Sequence, residues 1–168
     1  MPRIARLLCI PLILSFATIA NADERAFLQS LAGEWSGRGT VVMRIGKPAI
    51  NVNCRLRSTA GDASVSMKAT CRGLLVVNRT ISADLTARGN RYGGIYVGPA
   101  GGRSALTGRR KGNAIDLAVR WSKTVNGDRS AEMIIEKVGA NGLRLRTIDR
   151  DPSTGRTVTT SDIALRRS

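Results

Sequence analysis

From Trp35 onward the chain is a succession of short runs in which apolar and polar residues alternate, each closed by a turn signal. A period of two buries one face of a strand and wets the other, and does not fit the 3.6-residue repeat of a helix. Ile50, Val52, Cys54 and Leu56 alternate with Asn51, Asn53, Arg55 and Arg57. Ile81, Leu85 and Ala87 alternate with Ser82, Asp84, Thr86 and Arg88, and Ile115, Leu117, Val119 and Trp121 with Asp116, Ala118, Arg120 and Ser122. Turn signals such as Gly46-Lys47-Pro48, Gly61-Asp62, Lys111-Gly112-Asn113 and Asn126-Gly127 punctuate the runs. The pattern predicts strands over 35–44, 49–58, 65–72, 75–87, 91–97, 103–110, 114–122, 130–138, 143–149 and 156–166. Strands joined hairpin to hairpin, without long helical crossovers, exclude an α/β fold. A meander of this size loses its exposed edges most simply by closing. The expected fold is all-β, an antiparallel up-and-down barrel of about 8–10 strands with a short N-terminal helix.

The helix is read at Asp23–Leu31, with acids in its first turn, Gly33 to end it, and Ala26, Leu28 and Leu31 to pack. Before it, Arg3 and Arg6 precede a mostly apolar run from Leu7 to Ile19, then Ala20-Asn21-Ala22. A basic start, an apolar stretch and an A-x-A site are the order of a secretory signal, cut after Ala22. The run is shorter than the roughly 20 residues that cross a bilayer. Residues 1–22 are therefore expected to be a signal peptide and residues 23–168 a single barrel domain, periplasmic or secreted.

Cys9 leaves with the signal, and Cys54 and Cys71 remain to pair in an oxidising compartment. A two-residue turn at Asp62-Ala63 sets Gly61 opposite Ser64, and the same register brings Cys54 directly across from Cys71. It also pairs Leu56 with Ala69 and Ala60 with Val65, so the apolar faces agree. For the later hairpin, a three-residue loop Val125-Asn126-Gly127 places Trp121 against Ala131, Val119 against Met133 and Leu117 against Ile135.

Chemistry is limited by composition. The chain has no histidine. That removes the Ser-His-Asp triad, the Cys-His nucleophile, imidazole metal sites and histidine-ligated haem. Paired cysteines leave no thiol nucleophile. Asp84, Asp116, Glu132, Glu136, Asp149, Asp151 and Asp162 read as surface partners for the many arginines. No catalytic residue, cofactor or metal is implied. Without the signal, 25 cations face 12 acids, a net charge of +13. Such a charge attracts anionic surfaces or amphipathic molecules, and export argues against nucleic acid as the partner.

Gly33-Glu34-Trp35-Ser36-Gly37-Arg38-Gly39, after a short helix and opening the first strand, resembles the G-x-W start of lipocalin-like (calycin) barrels. Extended to G-x-W-x-G-x-G, it is similar to the nitrobindin-type branch. The resemblance implies a tryptophan near the closed base with an arginine from the last strand across it, for which Arg166 and Arg167 are available. The haem ligand of that branch is missing, so haem chemistry does not carry over. The start also resembles small disulfide-bearing barrels that inhibit bacterial metalloproteases.

The candidate ligand-binding residues are Trp35, Tyr92, Tyr96 and Trp121, facing the lumen, and Arg109, Arg110 and Lys111 at a basic hairpin tip. Arg103, Arg120, Arg144 and Arg146 join that tip if the strands neighbour suitably. The expected function is non-enzymatic binding of an anionic or amphipathic envelope component: lipid, lipopolysaccharide or a small apolar ligand. The alternative is inhibition of a secreted or periplasmic hydrolase.

Overall fold

The computed structural model describes residues 17–73 and 77–168. Most of the assigned signal, and the first two residues of the expected strand 75–87, lie outside the described residues. One helix, α1 (Ala17–Leu31), precedes ten strands: β1 (Gly33–Val41), β2 (Ile50–Ala60), β3 (Ser64–Gly73), β4 (Val77–Arg88), β5 (Arg91–Val97), β6 (Arg103–Lys111), β7 (Ala114–Val125), β8 (Asp128–Val138), β9 (Gly142–Arg150) and β10 (Thr157–Arg167). Each strand pairs with its sequence neighbours, and β1 pairs with β10 to close an antiparallel barrel. Among the described residues no helix is long and apolar enough to cross a membrane.

Closure depends on a glycine in β1. Gly37 faces Leu165 of β10, and a β-carbon on it would lie 2.0 Å from the Ala164 carbonyl oxygen. Only a residue without a side chain lets the two backbones coil this tightly. Gly39 is in the same position against Asp162. The G-x-W-x-G-x-G start is thus partly a closure device.

The helix begins six residues before the expected Asp23, because nothing between Ala17 and Leu31 breaks it. Asp23 and Glu24 therefore sit mid-helix. From Ala22 onward Glu24, Phe27, Leu28 and Leu31 are buried, whereas Ala26 is exposed. Gln29 Nε2 donates to the Ala60 and Gly61 carbonyls, and Arg25 pairs with Asp62 at 2.8 Å. The helix therefore caps the end of the barrel that holds the β2–β3 turn.

The β2–β3 register is the one read from sequence: Cys54 faces Cys71, Leu56 faces Ala69 and Ala60 faces Val65. The Cys54 and Cys71 Cα atoms are 4.0 Å apart and the sulfurs are bonded. A disulfide suggests an extracytoplasmic location. The β7–β8 hairpin differs from expectation. Val119 faces Ala131, Leu117 faces Met133 and Ile115 faces Ile135. The turn is the two-residue Asn126-Gly127, with φ of 50° and 103°, as a type I′ turn requires. A bulge in β7 between Arg120 and Val125 absorbs the extra residues. Arg129 Nε and Nη2 donate to the Trp121 and Ser122 carbonyls there. The slip is of two residues, so every side chain keeps its face.

The capped half is closely filled. Leu28, Leu31, Ile115, Leu117, Leu143 and Trp35 are each at most 1% exposed. Toward the other end, inward residues such as Tyr96, Trp121, Ala131 and Thr147 are half-buried. The lumen is fully packed at its base and less completely buried toward its mouth.

Candidate functional site

Three of the residues nominated from sequence meet at the capped end, where they hold α1. Trp35 Nε1 donates to the Leu31 carbonyl at 3.1 Å. Arg167 lies 4.3 Å from the ring centre and Lys137 Nζ 5.4 Å from it. Burial, then Arg167, holds the Lys137 ammonium below the usual lysine range; it donates to the Gly139 and Ala140 carbonyls. Tyr92 donates its hydroxyl to Glu24. Burial and then that bond push the phenol well above its ordinary range. Arg110 reaches Asp23 at 2.6 Å and Glu24 at 3.3 Å and stacks 4.3 Å from the Phe27 ring. Burial alone would lower Arg110, but these carboxylates outweigh it and raise it.

The hairpin tip does not gather the other arginines. Lys111 pairs with Asp116 at 2.8 Å, and Arg109 is exposed beside Arg91. Arg103 begins β6 at the opposite end of the barrel, and Arg120 lies toward that end. Arg144 is held in a fork by Asp162, at 2.6 and 2.8 Å, and Arg146 reaches Glu136 at 3.3 Å. Up-and-down order alternates the strand ends, so residues at the start and the finish of one strand never share a rim.

Tyr96 and Trp121 form a second group, at the mouth. Their rings meet edge to face with centroids 5.8 Å apart. Burial pushes the Tyr96 hydroxyl up to about 12. The buried Ser104, opposite Tyr96, receives the Ser122 N–H at 3.2 Å and anchors the β7 bulge. Asp149, read from sequence as a surface carboxylate, is instead buried and hydrogen-bonded to Thr160, also buried. Its place was legible: Leu143, Leu145, Thr147 and Asp149 occupy alternate positions of β9, and Leu143 is core.

The outer wall carries a third arrangement, which the sequence reading missed. Arg38, Asn53, Arg72 and Asn78 face one another in a single row across β1, β2, β3 and β4. The next row is Ser36, Arg55, Thr70 and Thr80. Adjacent strands lie about 4.8 Å apart, so Arg38 and Arg72 stand roughly 9–10 Å apart, with Arg55 in the next row on the strand between them. All of these but Thr80 line an open cleft of about 780 Å³. Among the described residues, none of Arg38, Arg55 and Arg72 has an acidic partner within 4 Å. Arg38 also borders a neighbouring cleft of about 1090 Å³, which, unlike the first, holds acids: Asp162, paired with Arg144, and Glu136. The outward parity of Arg55 was visible in the sequence; its neighbour Arg38 depends on how β1 packs beside β2.

No family model and no curated protein matches the chain. Among solved structures it is similar to Rv2717c from M. tuberculosis, with a TM-score of 0.64 and 14% identity over 84% of this chain and 94% of that one. It is similar also to the S-type phycobiliprotein lyase CPES from Guillardia theta, with a TM-score of 0.59 and 14% identity over 92% of this chain and 98% of that one. At that identity the likeness shows the fold alone, a closed antiparallel barrel.

Proposed function

We propose that the mature protein is a non-enzymatic, exported barrel that binds an anionic envelope component through its outer wall. The one observation that carries this reading is the unneutralised row Arg38–Asn53–Arg72–Asn78, with Arg55 beside it. Guanidinium groups donate in a planar fork that suits phosphate, and asparagine amides add neutral donors between them. They stand on a rigid sheet, so little side-chain order is lost beyond that of the arginines themselves. Phosphate-bearing lipid or lipopolysaccharide fits the chemistry. The disulfide and the signal-like N-terminus support an envelope setting, and cleavage after Ala22 would leave the buried Glu24, Phe27, Leu28 and Leu31 attached. The nitrobindin-like start is read here as a fold device, since Gly37 and Gly39 admit β10 and Trp35 is clamped by Arg167.

Vesicle flotation tests the reading. The mature protein is expected to float with phosphatidylglycerol vesicles at low salt, to be released as screening grows toward about 0.5 M, and to ignore phosphatidylcholine vesicles through this wall. Salt-independent binding, or none at low salt, would overturn it.

A further inference from the structure

Asp149 is 4% exposed, and its Oδ1 has no hydrogen-bond partner among the described residues. Oδ2 accepts from Thr160 Oγ1. Trp121 Nε1, also buried, has no partner either. The two orphans share the mouth half of the lumen. Val119 faces Ala131 and Glu132 faces Ile148, so Asp149 stands beside Ala131, with Trp121 one inward position above Val119. Between them β8 presents only the small side chain of Ala131 at this level. Tyr96 completes an aromatic edge against Trp121.

A buried carboxylate is costly unless a cation or a set of donors meets it. None of the chain's own cations lies within 4 Å of Asp149 among the described residues. With two aromatic rings in the same half of the lumen, the complement to it is an ammonium group. The rim around this end is strongly positive. Arg44, Lys47, Arg103, Lys123, Arg150 and Arg156 are exposed there. The acids at that end are occupied, Asp128 with the Ser130 N–H and Asp151 with Ser153 and Thr154. A bare cation would be repelled on the way in. A group that carries its own anion satisfies both fields.

We propose that the mouth binds a zwitterionic phospho-ammonium group, with the ammonium at Asp149 against Tyr96 and Trp121 and the phosphate at the basic rim. Trp121 Nε1 donates to an oxygen of the group. This site is separate from the outer-wall arginines and stands whether or not that wall binds anions.

Calorimetric titration of the mature protein with phosphocholine tests it, with choline and inorganic phosphate as half-ligands. Phosphocholine is expected to bind saturably, and each half-ligand at least about tenfold more weakly. Asp149→Asn, which keeps the Thr160 contact, is expected to weaken phosphocholine by at least about tenfold, while Arg38→Gln/Arg55→Gln/Arg72→Gln leaves it unchanged. Trp121→Phe is expected to weaken it severalfold, and serves alone should Asp149→Asn fail to fold. Phosphatidylcholine vesicles separate the sources: Asp149-dependent flotation marks a membrane headgroup, and binding of soluble phosphocholine only marks a free metabolite. Unchanged affinity in either variant, equal binding of choline or phosphate, or no saturation by ~10 mM would overturn the proposal.

Discussion

Arg167 of the last strand lies across the ring of Trp35 in the first, 4.3 Å from its centre, and donates to the carbonyls of Ser30 and Ala32 at 3.0 and 2.7 Å. One side chain thereby joins the two closing strands and satisfies acceptors at the end of α1, where a helix has no internal partners for them. Arg167→Ala is expected to lower stability by about 1–2 kcal/mol in urea denaturation. Lysine at the same position restores only part, because it has no planar fork. A change within about 0.3 kcal/mol would show that the clamp is ornamental.

Two glycine substitutions separate lack of space from backbone strain. At Gly37 a β-carbon meets the Ala164 carbonyl oxygen at 2.0 Å, so Gly37→Ala is expected to prevent closure of β1 on β10 and to yield little soluble protein. At Gly89 nothing lies within 4 Å but φ is +57°, so Gly89→Ala should fold and lose about 1 kcal/mol. Comparable losses at both positions would contradict the close approach.

The disulfide closes a short loop, its ends 17 positions apart in sequence. Cys54→Ser/Cys71→Ser is expected to lose about 3 kcal/mol. The double variant should retain its far-ultraviolet circular dichroism, because the β2–β3 ladder holds the register without the bond.

Tyr92 and Tyr96 are the only tyrosines, and burial raises both phenols. A phenol whose folded pKa exceeds its unfolded value favours the fold while protonated. That contribution is complete below about pH 10 and is lost as pH climbs toward about 12, where Tyr96 ionises. Ultraviolet titration should find neither phenolate half-formed at pH 10, and Tyr96→Phe should flatten the loss of stability between these limits. A midpoint near 10 for either tyrosine contradicts the burial.

Local pairing was readable where a tight turn sets it. The Asp62-Ala63 turn makes Cys54–Cys71 follow by counting. At Asn126-Gly127 the parity was readable and the pairing was not, because a slip of two residues leaves every apolar face where it was. The junction of β1 with β10 joins the ends of the chain, and no turn encodes it. For the same reason the sites were only half legible. Trp35 and Tyr92 were picked out as aromatics, but their engagement by α1 depends on the closed base. Asp149 was hidden by a general expectation about charged residues, although its parity with Leu143 and Leu145 pointed inward.

The most direct test of wall binding removes equal charge from two places. Arg38→Gln/Arg55→Gln/Arg72→Gln strips the outer row, and Arg44→Gln/Arg103→Gln/Arg156→Gln takes three arginines from the mouth. Each arginine near an anionic surface contributes about 1 kcal/mol, so three in contact amount to roughly a hundredfold in affinity. On phosphatidylglycerol vesicles at fixed salt, the first variant should lose about that factor and the second several times less. Equal losses in the two variants would mean that only net charge matters, and the arginine row would not be a site.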